Sequence, residues 1–151
     1  MEYSLYATAS NGKRLAAYLV DIIPIMILVL CYYHWVHGFS IFDVQLKKEN
    51  PEGYATLRSA IRLHSFGFWA LLCFLLEASP WQGTWGKRLM GIKVVNGMNE
   101  PLSWGQSLRR NVLKVPAYLC FGLGFLWILL NKNRSGIYDA FAHTKVVNRW
   151  E

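Results

Sequence analysis

Long apolar runs interrupted by single charges dominate the pattern of this 151-residue chain. The first run extends from Leu15 to Val36, and its polar exceptions are Asp21 and His34. Because a helix crosses the hydrocarbon core of a bilayer with about 20 residues, we predict a transmembrane helix over about residues 12–36. A second span is predicted over about residues 59–79, after a polar loop of mixed charge at 38–58.

A third apolar segment, at about residues 115–131, is shorter and contains Pro116, Gly122 and Gly124. It forms either a thin third span or a hairpin that enters the membrane and returns on the same side. With a hairpin, twelve of the 16 Lys and Arg residues lie on the cytoplasmic side and four outside; with a span, the division is eight and eight. Since short cytoplasmic loops are enriched in Lys and Arg, the count favours the hairpin and a cytoplasmic N-terminus.

Two short repeats predict a small β element on the cytoplasmic side. The sequence Lys-Val-Val-Asn occurs at residues 93–96 and again at 145–148. Pairing of the two would join residues 90–96 to 143–149, although a four-residue repeat also arises by chance. Between them, Ser103 and Gln106 have the spacing of a capping box and predict an amphipathic interfacial helix at about 103–115.

The predicted fold class is therefore an all-α membrane protein that forms a single domain over residues 1–151. It has two full transmembrane helices, a re-entrant or half-length helical hairpin, an interfacial amphipathic helix and a small cytoplasmic β element. Hydrophobic residues make up 54% of the chain and aromatic residues 15%, which is high for a soluble domain of this size.

Composition also bears on function. The net charge of +7 is explained by the positive-inside bias, and no basic stripe with interleaved aromatic residues indicates nucleic-acid binding. The three cysteines fall inside apolar blocks and are interpreted as buried small residues. The histidines lack metal-ligand spacing, and no Ser-His-Asp or Cys-His group is expected to share a face. We therefore expect neither an enzyme nor a metal or cofactor site.

Asp21 is the most informative charge, because a carboxylate inside a membrane helix costs at least ~2.5 kcal/mol unless it is paired or hydrated. Arg14 lies seven residues earlier on nearly the same helical face, but about 10 Å away along the axis. Each residue is therefore expected to have a partner from another segment. For Arg14 that partner is Asp139, and for Asp21 it is Arg109, Arg110 or a hydroxyl group. Such a group is either a proton or cation site or a structural ion network.

Arg14, Asp21 and Asp139 resemble the three residues for which the RDD family of small bacterial membrane proteins is named. Residues 84–95 look like the central signature of that family, and residues 138–147 resemble its closing signature. That closing signature usually begins with His-Asp, whereas this chain has Tyr138 before Asp139, so a proton-relay role for that histidine is not possible here. His143 also stands where glycine is common.

The resemblance implies a multi-pass helical protein of the bacterial cytoplasmic (inner) membrane. For function the resemblance implies little. From the residues themselves we expect a buried polar network or an ion- or proton-binding site of Arg14, Asp21 and Asp139, supported by Lys87, Arg109, Arg110 and Thr144. Some members of the family are linked to sodium/proton exchange, and others are small accessory subunits.

Two functions follow as hypotheses. The first is a cation/proton transporter, or a subunit of one, centred on Asp21; because two spans cannot enclose a pathway alone, it requires a homo-oligomer or a larger membrane protein partner. The second is an accessory or scaffolding subunit that binds another membrane protein through the interfacial helix and the β element. Besides the lipid bilayer itself, an anionic lipid head group is a further possible ligand, at Arg109, Arg110 and Lys114.

Overall fold

The computed structural model describes residues 6–119 and 136–149, which form mainly helices and one small sheet. In chain order the elements are α1 (Asn11–His37), α2 (Val44–Glu49), α3 (Pro51–Ala78), α4 (Trp85–Leu89), β1 (Ile92–Asn96), α5 (Trp104–Leu119), α6 (Ile137–Phe141) and β2 (Thr144–Asn148). They belong to two compact units: a terminal unit of residues 1–20 and 71–151, and a middle unit of residues 21–70. This architecture confirms the predicted class, a helical membrane protein with a small β element.

Helices α1 and α3 are both long and apolar enough to cross a membrane. In the most apolar 18-residue stretch of each helix, only 11% of the residues of α1 and 22% of those of α3 are buried. The core helix of a soluble protein would bury most of such a stretch, because apolar surface is removed from water on folding. The exposed apolar surface of the two helices is therefore suited to contact with lipid.

The predicted polar loop at 38–58 is wrong over most of its length, because α2 and the first turns of α3 occupy it. Asp43 caps α2 by accepting a hydrogen bond from the Leu46 N–H at 2.9 Å. Asn50 accepts one from the Gly53 N–H at 2.9 Å, and Pro51 takes the first position of α3, where its missing N–H costs nothing. The apolar residues of the sequence predicted only the apolar part of α3. The start of the helix is determined by these capping residues.

The middle unit is held together by a cluster of apolar and aromatic side chains. Its buried members are Val29, Tyr33, Phe39, Tyr54 and Ile61. Both tyrosines of this cluster also have polar contacts through their hydroxyl groups, as is usual for buried tyrosines. Tyr54 donates to the Ile41 carbonyl at 2.7 Å, and the Tyr33 hydroxyl lies 2.9 Å from His64 Nδ1. The unit is thus fixed by packing and by hydrogen bonds.

In the terminal unit, β1 and β2 pair antiparallel in the register Ile92↔Asn148 to Asn96↔Thr144. The predicted pairing of the two Lys-Val-Val-Asn repeats is confirmed. The segment before α1 joins them, because the Ala9 N–H donates to the Val146 carbonyl at 3.0 Å. The sheet packs into a core formed by Ala9, Ala17, Ile92, Val94, Leu102 and Val146.

Helix α5 begins at the predicted capping box. The Gln106 N–H donates to Ser103 Oγ at 3.2 Å, and the Ser103 N–H donates to the Gln106 side chain at 3.1 Å. The helix continues to Leu119, beyond the predicted end at 115. The rest of the third apolar segment, and with it the predicted hairpin, lies outside the described residues.

Candidate functional site: a buried charge network

Glu77 lies in the last turn of α3, and its side chain has no exposed surface. Three cations contact its carboxylate. Lys87 of α4 forms an ion pair with Oε1, and Lys114 Nζ of α5 lies 3.3 Å from the same oxygen. Arg110 Nη1 lies 3.5 Å from Oε2. Since Arg110 and Lys114 are four residues apart on α5, one face of this helix supplies two of the three cations.

Asp139 is the second carboxylate without exposed surface, and it lies in the first turn of α6. Its Oδ2 accepts hydrogen bonds from the Gly136 N–H at 3.1 Å and from Arg14 Nη1 at 3.2 Å. Arg110 Nη2 lies 2.8 Å from Oδ1. The Arg110 guanidinium thus contacts both Glu77 and Asp139, and it joins them into one cluster. We call Arg14, Glu77, Lys87, Arg110, Lys114 and Asp139 the charge network.

Neutral groups support the charge network from α5 and β2. Asn111 donates to Glu77 Oε2 at 3.3 Å and accepts from Lys114 Nζ at 2.7 Å. Arg14 Nη2 donates to the Val146 carbonyl at 3.2 Å, which ties α1 to β2. Thr144 contributes a long contact of 3.5 Å from its hydroxyl to the Asp139 carbonyl. These contacts hold the charged side chains in place, and a buried charge needs such partners.

The charge network contains more positive than negative charge. Four cations face two carboxylates, and all of these side chains are at most 13% exposed. Three guanidinium nitrogens, Arg14 Nε and Arg110 Nε and Nη1, make no hydrogen bond to the described residues. The surplus positive charge makes the network a poor site for a cation, because a further cation would be repelled.

The surplus positive charge affects the pKa values of the two lysines, Lys87 and Lys114, differently. Burial is the largest influence on both and lowers the pKa of each ammonium group. For Lys87 the neighbouring Glu77 carboxylate outweighs burial, and its pKa is raised above the ordinary value. For Lys114 burial prevails, supported by the nearby charges of Lys87 and Arg110, and its pKa is lowered. Lys114 is therefore the less favourably placed of the two ammonium groups.

Arg110 and Tyr138 remain protonated. Burial lowers the pKa of Arg110, but the Asp139 and Glu77 carboxylates outweigh it and raise the pKa. Burial, with Asp139, raises the pKa of the Tyr138 hydroxyl. The Tyr138 ring lies 5.6 Å from Arg110 Cζ and 5.8 Å from Lys114 Nζ, close enough for cation–π attraction. Tyr138 thus supplies a neutral aromatic face beside these two cations.

On α4 and α5, Lys87, Arg110 and Lys114 face the interior, whereas Arg88, Arg109 and several apolar side chains are exposed. On α5, Ser107, Arg110, Asn111 and Lys114 are at most 5% exposed, whereas Trp104, Leu108, Val112 and Val115 are 39–56% exposed. On α4, Trp85 and Leu89 are exposed while Lys87 reaches Glu77. A soluble protein shows the opposite arrangement, with the apolar face of a helix toward the core. The exposed apolar side chains of α4 and α5 are therefore suited to contact with an apolar surface.

The structure brings together five of the seven predicted site residues. Arg14, Asp139, Lys87 and Arg110 lie in the charge network, and Thr144 lies beside it. Asp21 is half-buried and belongs to the middle unit, whereas the network belongs to the terminal unit. Arg109 is exposed on α5, so it does not form a pocket with the buried Arg110 and Lys114.

Glu77 was missed as a site residue, although it is the carboxylate with the most cationic contacts in the network. The signal was present in the sequence, because Glu77 is an acid at the end of an apolar helix, and an acid in such a place needs a partner. Among residues 6–119 and 136–149, no group of three or more His, Cys, Asp or Glu side chains is placed to hold a metal.

Comparison with known proteins gives one family. The model of the RDD family matches residues 8–143, a range that covers most of both compact units. A relative from Bacillus subtilis (strain 168), described as "Uncharacterized protein YxaI", is 38% identical over 73 residues. The match covers 48% of this chain, and the chain spans about half the length (48%) of that relative. No solved structure matches the chain.

Replacement of Arg110 and of Lys114 is expected to have unequal effects. Arg110→Met should lower the free energy of unfolding by about 3–5 kcal/mol, because both carboxylates lose the cation that they share. Lys114→Met should cost less than about 1 kcal/mol, or stabilise, because Glu77 keeps two cations and the surplus charge is reduced. Denaturant unfolding in detergent micelles measures both. The exposed Arg109→Met is the control, and an equal loss for Arg110 and Lys114 would contradict the unequal charge balance.

The lowered pKa of Lys114 predicts the pH dependence of stability. Between that pKa and the ordinary value of 10.5, the unfolded chain binds more protons at this lysine than the folded chain. The free energy of unfolding of the native chain should therefore rise, relative to that of Lys114→Met, as pH increases toward 10.5. Lys87 acts in the opposite sense, because its raised pKa preserves its stabilising charge until higher pH. A difference between the two proteins that does not change with pH would refute this assignment.

Proposed function

Because the chain belongs to the RDD family and is a membrane protein, we propose that it is a non-catalytic accessory subunit that binds another membrane protein. The contact surface is the exposed apolar side of α4 and α5. The observation that carries this proposal is the exposed apolar side of these two helices. Lys87, Arg110 and Lys114 face the charge network, whereas Trp85, Leu89, Leu108 and Val112 are exposed, as are Arg88 and Arg109.

The state of the two buried carboxylates supports a binding role over a transport role for the charge network. A cation site needs a carboxylate that is free to exchange its partner. Glu77 contacts three cations and Asp139 contacts two, and all of them come from the chain itself. The network therefore serves to hold α1, α3, α4, α5 and α6 in fixed positions, as polar contacts do between membrane helices.

The proposed orientation places the terminal unit on the cytoplasmic side of a bacterial inner membrane. Its support is the distribution of charge between the two compact units. Twelve of the 16 Lys and Arg residues belong to residues 1–20 and 71–151, and four belong to residues 21–70. The positive-inside rule assigns the richer set to the cytoplasm.

Photo-crosslinking tests the proposed contact surface. A benzophenone amino acid at Leu89 or at Val112 should give the same single protein adduct in native membranes, and that protein should co-purify with the chain. The same probe at Met98, which is 78% exposed in a turn outside both helices, is the matched control. Val112→Asp should abolish co-purification with no change in melting temperature, whereas Met98→Asp should not. Adducts with lipid alone, or with a second copy of the chain, would exclude the accessory role.

A second candidate function, cation/proton transport, is favoured by Asp21. This carboxylate is half-buried in α1, a helix apolar enough to cross a membrane. A carboxylate within such a helix is a candidate group for the exchange of a proton for a cation. A homo-oligomer or a larger partner would complete the pathway, since two helices do not enclose one.

Proteoliposomes separate the two candidates. If transport depends on Asp21, Asp21→Asn should abolish cation-driven proton movement while the protein keeps its melting temperature. The control is Glu49→Gln, at an exposed acid of α2. Absence of proton movement with the native chain would reject the transport function and leave the accessory role. Unchanged movement with Asp21→Asn would reject the role assigned to Asp21.

A further inference from the structure

A cavity of about 380 Å³ lies in the middle unit, between α2 and the first half of α3. Lys47 of α2 lines one side, and Tyr54, Arg58, Ser59 and Arg62 of α3 are among the residues on the other. Positions 54, 58 and 62 are separated by four residues, so they follow one face of the helix. The volume is in the range of small-molecule sites and exceeds that of a bare inorganic ion.

All charged residues that line the cavity are positive. Three of the lining residues are cations and none is an acid. Within the described parts of the chain, Lys47, Arg58 and Arg62 form no ion pair, whereas each cation of the charge network has a carboxylate partner. Three unpaired cations around one concavity attract an anion, because their fields add there.

The elements that carry these cations are held in place. Tyr54 is buried and lines the cavity; its hydroxyl donates to the Ile41 carbonyl at 2.7 Å, and its ring lies 5.4 Å from that of Phe39. Asp43 caps α2, which carries Lys47, and Asn50 caps the start of α3. A site whose backbone is fixed before the ligand arrives loses less conformational freedom on binding.

We propose that this cavity binds the phosphate group of an anionic ligand. Arg58 and Arg62 offer planar, forked donors that match phosphate oxygens, and Lys47 adds a compact charge from the opposite side. The Ser59 hydroxyl lies in the same lining and is a further donor. The phosphate belongs either to a phospholipid head group or to a small soluble phosphate ester, since both present the same oxygens to this site.

The test uses the full chain in phosphatidylcholine nanodiscs. One arm adds phosphatidic acid to the bilayer and counts bound lipid by native mass spectrometry. The other adds glycerol 3-phosphate or inorganic phosphate and measures the dissociation constant by calorimetry. Binding in the first arm alone identifies a lipid head group, and binding in the second identifies a soluble phosphate; either result supports the site.

Variants show whether these three cations are responsible. Removal of each cation should weaken binding about 5-fold, so the double variant Arg58→Gln/Arg62→Gln should lose about 25-fold. Arg58→Lys/Arg62→Lys keeps the charge and should lose less. The control is Lys48→Gln, because Lys48 is an exposed cation of α2 that neighbours Lys47 but does not line the cavity. Melting temperatures verify folding.

Two results would overturn the proposal. One is the absence of binding by the native chain in both arms. The other is an equal loss for Lys48→Gln and Lys47→Gln, which would show that diffuse surface charge, and not this cavity, attracts the anion.

Discussion

The contact of one guanidinium group with two buried carboxylates is the interaction on which the terminal unit depends. Arg110 reaches Glu77 at the end of α3 and Asp139 at the start of α6, two residues far apart in the chain. Burial of a charge costs several kcal/mol unless the charge is paired, so neither acid is tolerable there without its cations. Arg14 and Lys87 add α1 and α4 to the same cluster. Five helices are therefore positioned by one requirement, the pairing of two buried carboxylates with cations.

This requirement also explains the surface of the terminal unit. Once α5 turns Arg110 and Lys114 toward the carboxylates, its other side must carry Trp104, Leu108 and Val112 outward. A helix that satisfies its charges internally is suited to apolar surroundings, because there a bare charge is the costly group and an exposed leucine is not. Besides the two candidate spans α1 and α3, α4 and α5 thus also expose apolar side chains.

Much of the fold was predictable from sequence, and the reasons differ between elements. The two apolar helices, the capping box at Ser103 and the pairing of the repeated strands follow from local patterns, and local patterns are read directly from the chain. The early start of α3 at Pro51 was missed, because hydrophobicity reports the part of a helix in lipid and not its whole length.

For the candidate site, sequence showed which charges need partners but not which partners they find. The proximity of Arg14 and Asp139 was expected, and the structure has them 3.2 Å apart. Asp21 was predicted as the central charge because it lies inside an apolar run, whereas Glu77, near a helix end, was not predicted as a site residue. Only the arrangement of α4 and α5 around the end of α3 makes Glu77 the acid with three cations. Such contacts between distant segments are not encoded in any single stretch.

The separation of Arg14 from Asp139 by 125 residues has a consequence for biosynthesis. At a ribosomal rate of about 5–20 residues per second, Arg14 is made roughly 6–25 seconds before the acid that neutralises it. During that interval the nascent chain carries an unneutralised guanidinium at the start of its first apolar helix, and water or lipid phosphate must solvate it. The Arg14–Asp139 contact therefore forms only after residue 139 has been made, and this order is imposed by the distance between the two residues along the chain.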